Sequence, residues 1–249
     1  MGILTKRTVR ILALLGATLL NQACGDQRPK ADCATCGFYT DAAGEKLWHW
    51  PDGSQVSFVL ESGFPAEMRP SMVEAGKTYA EIFSNTGVAV EDQSINPSAP
   101  VLARVTGTSP TEVRNQTSGD NINGIYWVDS VWPWINTDRN SDAMTVVKFR
   151  RGRIVEADLY IRAESFPLSN SSSLALTAGE VSGARSLAGS IDVKWLYVIA
   201  VHELGHALGR VHAEDEDSVM FPTVGLEFLT QPFSQWDLDI FSKAYKLRN

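Results

Sequence analysis

The chain has 249 residues, of which 44% are hydrophobic, with a formal net charge of −7, 4 histidines and 3 cysteines. This length fits one domain of about 200 residues plus an export segment, and the composition suffices for a sizeable core. The acidic balance argues against a nucleic-acid partner and favours solubility outside the cell.

The N-terminus carries Lys6, Arg7 and Arg10, then the apolar run Ile11 to Leu20, then the small residues Ala23, Cys24 and Gly25. That order marks residues 1–23 as an export signal, and the run is too short to span a bilayer. Its end resembles a bacterial lipoprotein cleavage site with Cys24 as the acylated residue, the only membrane attachment expected. Leu20 lies four residues before the cysteine rather than three, so plain secretion stands as the alternative. With Cys24 acylated, Cys33 and Cys36 remain as an even pair, read as a disulfide in an exported protein. Residues 24–45 are polar and mixed, a short tether or pro-segment, and residues 46–249 form the folded domain.

Within that domain, Ser54 to Leu60 alternates apolar and polar residues as a strand does. Met72, Ala75, Tyr79, Ile82 and Phe83 recur at helical spacing after Pro70, and Asn85 to Gly87 ends that helix. Val101 to Thr106 reads as a second strand, Gly119 to Gly124 as a turn cluster, and Ile125 to Val128 as a strand. Thr145 to Phe149 and Ile154 to Ile161 read as a hairpin across Arg150-Arg151-Gly152-Arg153. Phe166 to Ser190 is rich in Ser, Ala and Gly and reads as an exposed loop. Asp192 is a good N-cap for a helix whose residues Val193 to Leu208 are apolar on nearly all sides, hence buried. Ser234 to Asp237 resembles a capping box opening a C-terminal helix that runs to about Tyr245.

The chemistry concentrates in His202-Glu203-Leu204-Gly205-His206-Ala207-Leu208-Gly209-Arg210-Val211-His212, which holds three of the four histidines. It is the pattern H-E-x-x-H extended by G-x-x-H. Residues four apart share a helix face, so His202 and His206 can address one metal ion, with Glu203 beside them. On a continued helix His212 would be rotated by roughly 240° from His206, so the helix must stop first. Gly209 can stop it, because glycine takes the left-handed conformation without a Cβ clash. Three neutral imidazoles leave a zinc ion an open position where bound water has a pKa of about 7, and Glu203 can serve as general base.

These residues, with Ser218-Val219-Met220-Phe221-Pro222, whose methionine lies eight positions beyond His212, resemble the metzincin zinc peptidases, and within them the matrixins and their bacterial relatives. The strand Ile154 to Ile161 is similar to the one preceding the active helix in bacterial matrixin-like proteins. The resemblance implies an α+β fold: a twisted mixed sheet backed by helices, an active-site helix and a C-terminal helix. It implies one catalytic zinc held by His202, His206 and His212, with Glu203 catalytic. Met220 then forms the apolar floor of the site, and a peptide substrate lies extended along a sheet edge. The function expected is a zinc-dependent endopeptidase acting as a monomer. The alternative is a catalytically silent surface lipoprotein that binds a protein partner through the same cleft. Cys36 upstream could also act as a thiolate latch on the open metal position.

The chain also departs from the matrixin pattern. Ala213 stands where a serine is usual, and Val224 where a tyrosine lines the specificity pocket. Only His49 lies outside the motif, too few for a second, histidine-bound zinc. Asp138, Asn140 and Asp142 have calcium-loop spacing, but Ala143 and Phe149 replace the turn glycine and the bidentate acid; calcium is a secondary candidate and a polar turn the reading preferred. The run Glu214 to Asp217 reads as a solvated face, and Trp127, Trp132 and Trp134 as core rather than a carbohydrate platform.

Overall fold

The computed structural model describes residues 37–40, 47–107, 109–117, 119–136, 141–166 and 191–248. The export segment, all three cysteines, Asp138, Asn140 and the loop 167–190 lie outside the described residues.

A five-stranded sheet in the order β2-β1-β3-β5-β4 organises the domain. Its strands are β1 (Gln55–Leu60), β2 (Gly87–Glu91), β3 (Asn123–Val128), β4 (Ala143–Arg150) and β5 (Arg153–Arg162). β1, β2, β3 and β5 run parallel, while β4 is antiparallel to β5 and, among the described residues, ends the sheet. Arg151 and Gly152 make the β4–β5 turn with φ of 52° and 76°. Two consecutive positive φ values give a turn whose twist matches that of the paired strands.

The helices are α1 (Arg69–Ile82), α2 (Pro110–Thr117), α3 (Trp132–Ile135), α4 (Ile191–Ala207) and α5 (Gln235–Phe241). α1 and α4 pack on one sheet face and bury the larger core, with Phe58, Met72, Tyr79, Ile125, Leu159 and Leu196 at most 1% exposed. A smaller cluster on the opposite face joins Val59, Leu102, Val113, Tyr126, Trp132 and Tyr160. Trp127 and Trp132 are buried in these two cores, as core residues should be.

Four boundaries differ from the sequence reading. Val101 to Thr106 is not a strand: only Leu102 bridges, to Glu61, and Val101 is 76% exposed. α4 already includes Ile191, so Asp192 lies in the first turn instead of capping from outside. There its charge still favours the helix dipole. α5 stops at Phe241, and turns, not helix, lead to Tyr245. Gly37 to Thr40, assigned above to the tether, joins the folded body: Phe38 bridges Arg210 and Thr40 bridges Leu47.

Candidate metal centre

α4 carries His202, Glu203 and His206, and everything from Trp195 to Ala207 on it is buried. Such a helix, apolar all round, suits the middle of a core. Small residues let neighbours reach it closely. A Cβ at Gly205 would overlap Met220 Sδ, so Met220, fully buried, lies directly against the helix between the two histidines.

The helix ends as its sequence demands. Gly209 has φ of 97°; its N–H donates to His206 O at 2.9 Å, and the Arg210 N–H donates to Gly205 O at 3.0 Å. This pair of bonds is the Schellman closure of a helix. Distant groups satisfy the remaining carbonyls. Trp50 Nε1 donates to Ala207 O at 2.9 Å, and the Tyr245 hydroxyl donates to Leu208 O at 2.7 Å. The Tyr39 N–H donates to Gly209 O at 2.9 Å. The chain then turns back and delivers His212 beside the other two rings.

One ligand atom from each of His202, His206 and His212 lies within 4.8 Å of the others. The ring centroids are 4.7 to 5.3 Å apart. Tautomers follow from the partners. His202 Nδ1 meets Val219 O at 2.6 Å and His206 Nδ1 meets Arg210 O at 2.8 Å. A carbonyl oxygen only accepts, so each Nδ1 carries the proton. Burial holds both imidazoles well below their ordinary pKa, and therefore neutral. The two Nε2 lone pairs then face each other at 3.0 Å. That contact is repulsive unless a cation lies between them. His212 Nε2 is buried without a hydrogen-bond partner, and burial lowers its pKa to about 4. A tetrahedral zinc with Zn–N bonds of about 2.0–2.1 Å separates its nitrogens by roughly 3.4 Å, so this donor set fits it.

Glu203 is fully buried, and burial lifts its pKa to about 8 while the Thr145 hydroxyl, donating to Oε2, opposes the rise. Oε1 has no partner among the described residues. Thr145 also donates to Glu203 O at 3.1 Å, which fastens edge strand β4 to the helix. Tyr39 lies near enough that burial first, and the Glu203 charge second, push its phenol upward.

A second layer orients the histidines, and the motif gave no sign of it. Asp237 on α5 is fully buried; its carboxylate accepts from the Val219 N–H at 3.1 Å and from the Ser218 hydroxyl at 2.5 Å. Arg210, also fully buried, reaches Asp237 Oδ1 at 3.4 Å and Gly37 O at 3.0 Å. Its guanidinium lies 4.7 Å from the Phe241 ring centroid and 5.2 Å from that of Trp236. The carbonyls that orient His202 and His206 thus belong to the two segments Asp237 ties together. The Ala213 N–H donates to Met220 O at 2.8 Å and joins the His212 turn to the same unit.

The matrixin family profile matches residues 112–246, more than half of the chain. The chain belongs to the matrixin family. Its fold is accordingly the α+β metzincin fold, and the family implies a zinc metallopeptidase. This matrixin is 43% identical over 51 residues to matrix metalloproteinase-27 of Tupaia belangeri, a stretch covering 20% of the chain and 10% of that protein. It is 60% identical over 30 residues to the macrophage metalloelastase of Oryctolagus cuniculus, covering 12% and 6%. The human matrix metalloproteinase-27 matches at 41% over 51 residues, again 20% and 10%. The chain thus aligns with about a tenth or less of the length of these relatives.

The other sequence candidates are not part of the cluster. His49 takes no part in it; its Nδ1 donates to Trp50 O at 2.6 Å. Glu214 and Asp217 are exposed, as a solvated face requires. Val224 is buried in the main core at 2% exposure.

Proposed function

We propose that this matrixin is a zinc-dependent endopeptidase, with His202, His206 and His212 as the zinc ligands and Glu203 as general base. The observation that carries the reading is the pair of Nε2 lone pairs at 3.0 Å, both Nδ1 atoms being engaged by carbonyls. Bound zinc supplies Lewis-acid polarisation of a carbonyl and lowers the pKa of water. Glu203 takes the proton of the attacking water and returns it to the departing amine. Burial raises its pKa above the ordinary carboxylate range, which makes it the stronger base toward that proton. The Thr145 hydroxyl holds one carboxylate oxygen and leaves Oε1 for that proton. Met220 is the apolar floor that keeps the histidine rings in place. β4, at the sheet edge, offers main-chain groups to an extended peptide, which gives grip without regard to sequence.

The signal over residues 1–23 exports the chain, either anchored through Cys24 or freely secreted. Digestion of casein by the purified protein tests the activity. One zinc per chain, loss of cleavage with a chelator and recovery on adding zinc are the expected results. Stoichiometric zinc with no turnover would instead leave a partner-binding protein.

A further inference from the structure

The β4–β5 turn brings Arg150, Arg151 and Arg153 together in a chain of net charge −7. Arg150, Arg151 and Arg153 are exposed, and none has an ion pair among the described residues. Between this turn and the segment preceding β1 lies a cavity of about 620 Å³, lined by Arg151, Arg153 and His49 beside Leu47 and Pro51. Among the described residues its one carboxylate is Asp52, which is engaged by the Asn85 amide at 3.2 Å. His49 gives its Nδ1 proton to Trp50 O, so Nε2 is the ring atom left for a ligand. Arg151 holds φ of 52°, a conformation that side chains other than Asn, Asp and Gly adopt at a cost. An Asn or Gly would fit that turn with less strain and would lack the charge.

We infer that this basic cavity is an exosite for an acidic stretch of the polypeptide substrate. The inference rests on the peptidase reading above. β4 leads to the cavity directly. Thr145, whose hydroxyl touches Glu203, and Arg150, at the turn, are five residues apart on the same edge strand. At 3.3–3.4 Å per residue that is about 17 Å. An extended peptide paired along β4 at the catalytic centre therefore reaches the arginines about five residues from the bond that is cut. Guanidinium groups favour carboxylates through paired N–H donors, and a charge patch set off from the cleft acts on encounter as well as affinity.

The test uses the full chain carrying Glu203→Ala, so that binding is read without cleavage. The probe is a fluorescein-labelled hexaglutamate peptide followed by anisotropy. Saturable binding is expected, weakened about tenfold by the added pair Arg151→Gln and Arg153→Gln and by raising salt from about 0.05 to about 0.5 M. Hexaglutamine is expected not to bind. With Glu203 intact, a cleavable peptide with two glutamates four to six residues from the cut should exceed its glutamine counterpart in kcat/KM. The arginine variant should erase that difference and leave the glutamine peptide unchanged. Equal hexaglutamate binding by the arginine variant overturns the inference. So does arginine-dependent capture of phosphatidylglycerol vesicles without hexaglutamate binding, which would make the patch a lipid contact. Arginine-dependent hexaglutamate binding with neither peptide cut would refute the peptidase reading and with it the substrate role, leaving the cavity as a binding site for acidic peptide.

Discussion

Replacing Arg210 by methionine removes a charge that no solvent touches. The change keeps much of the aliphatic volume but takes away the donors to Gly37 O and Asp237 and the cation beside Phe241 and Trp236. Asp237 would then keep a buried negative charge. Removing one partner of a buried pair costs about 3–5 kcal/mol. The 3.4 Å separation is long for an ion pair, and Asp237 keeps the Ser218 hydroxyl, the Val219 N–H and the Ser234 N–H as donors. The lower end of the range, about 3 kcal/mol, is therefore expected. The assay is urea denaturation of the metal-free proteins, read by tryptophan fluorescence. Zinc affinity, measured by competition with a chromophoric chelator, should fall as well, because the Arg210 and Val219 carbonyls that orient His206 and His202 lose their common anchor. Lysine at 210 should recover part of both. A methionine variant within about 0.5 kcal/mol of the parent, with unchanged zinc affinity, would refute the role assigned to this pair.

Gly209→Ala should lower both stability and zinc affinity, since φ is 97° and the new Cβ would overlap the Trp48 carbonyl oxygen. A loss of more than about 1 kcal/mol in urea and weaker zinc competition are expected. Metal-free protein should lose stability as pH falls from 6.5 toward 4. In that window the unfolded chain protonates its histidines while His212, with a folded pKa of about 4, stays neutral. His202 and His206 act in the same direction. His212→Asn should remove up to about 3 kcal/mol of that dependence in the urea midpoints. Thr145→Val removes a donor to the Glu203 carboxylate, so its pKa rises further above about 8 in the metal-free protein. The acid limb of the kcat/KM profile is expected to move to higher pH by the same sign.

The site was more legible in the sequence than the sheet around it. The spacing of His202, Glu203, His206, Gly209 and His212 encodes a helix face and its stop, both local properties. The β4–β5 hairpin and the Ser234–Asp237 capping box are local too, and the structure shows both. β2 was missed although Val88 and Val90 alternate inward, because it is short and directly follows the turn that ends α1. α2 has one buried apolar residue, Val113, so no helical stripe announces it. Val101 to Thr106 has strand-like composition, but Val101 points to solvent and burial decides such segments. The Arg210–Asp237 pair joins residues 27 apart, and nothing in either residue's neighbourhood names its partner.

The central claim is that Glu203 moves the proton at a zinc held by three histidines. Its most direct test is Glu203→Ala, assayed for zinc content and for hydrolysis of an internally quenched peptide. One zinc per chain is expected in both proteins, with a fall in kcat of at least about 10²-fold in the variant. A variant that retains zinc and cleaves at the parental rate would contradict it.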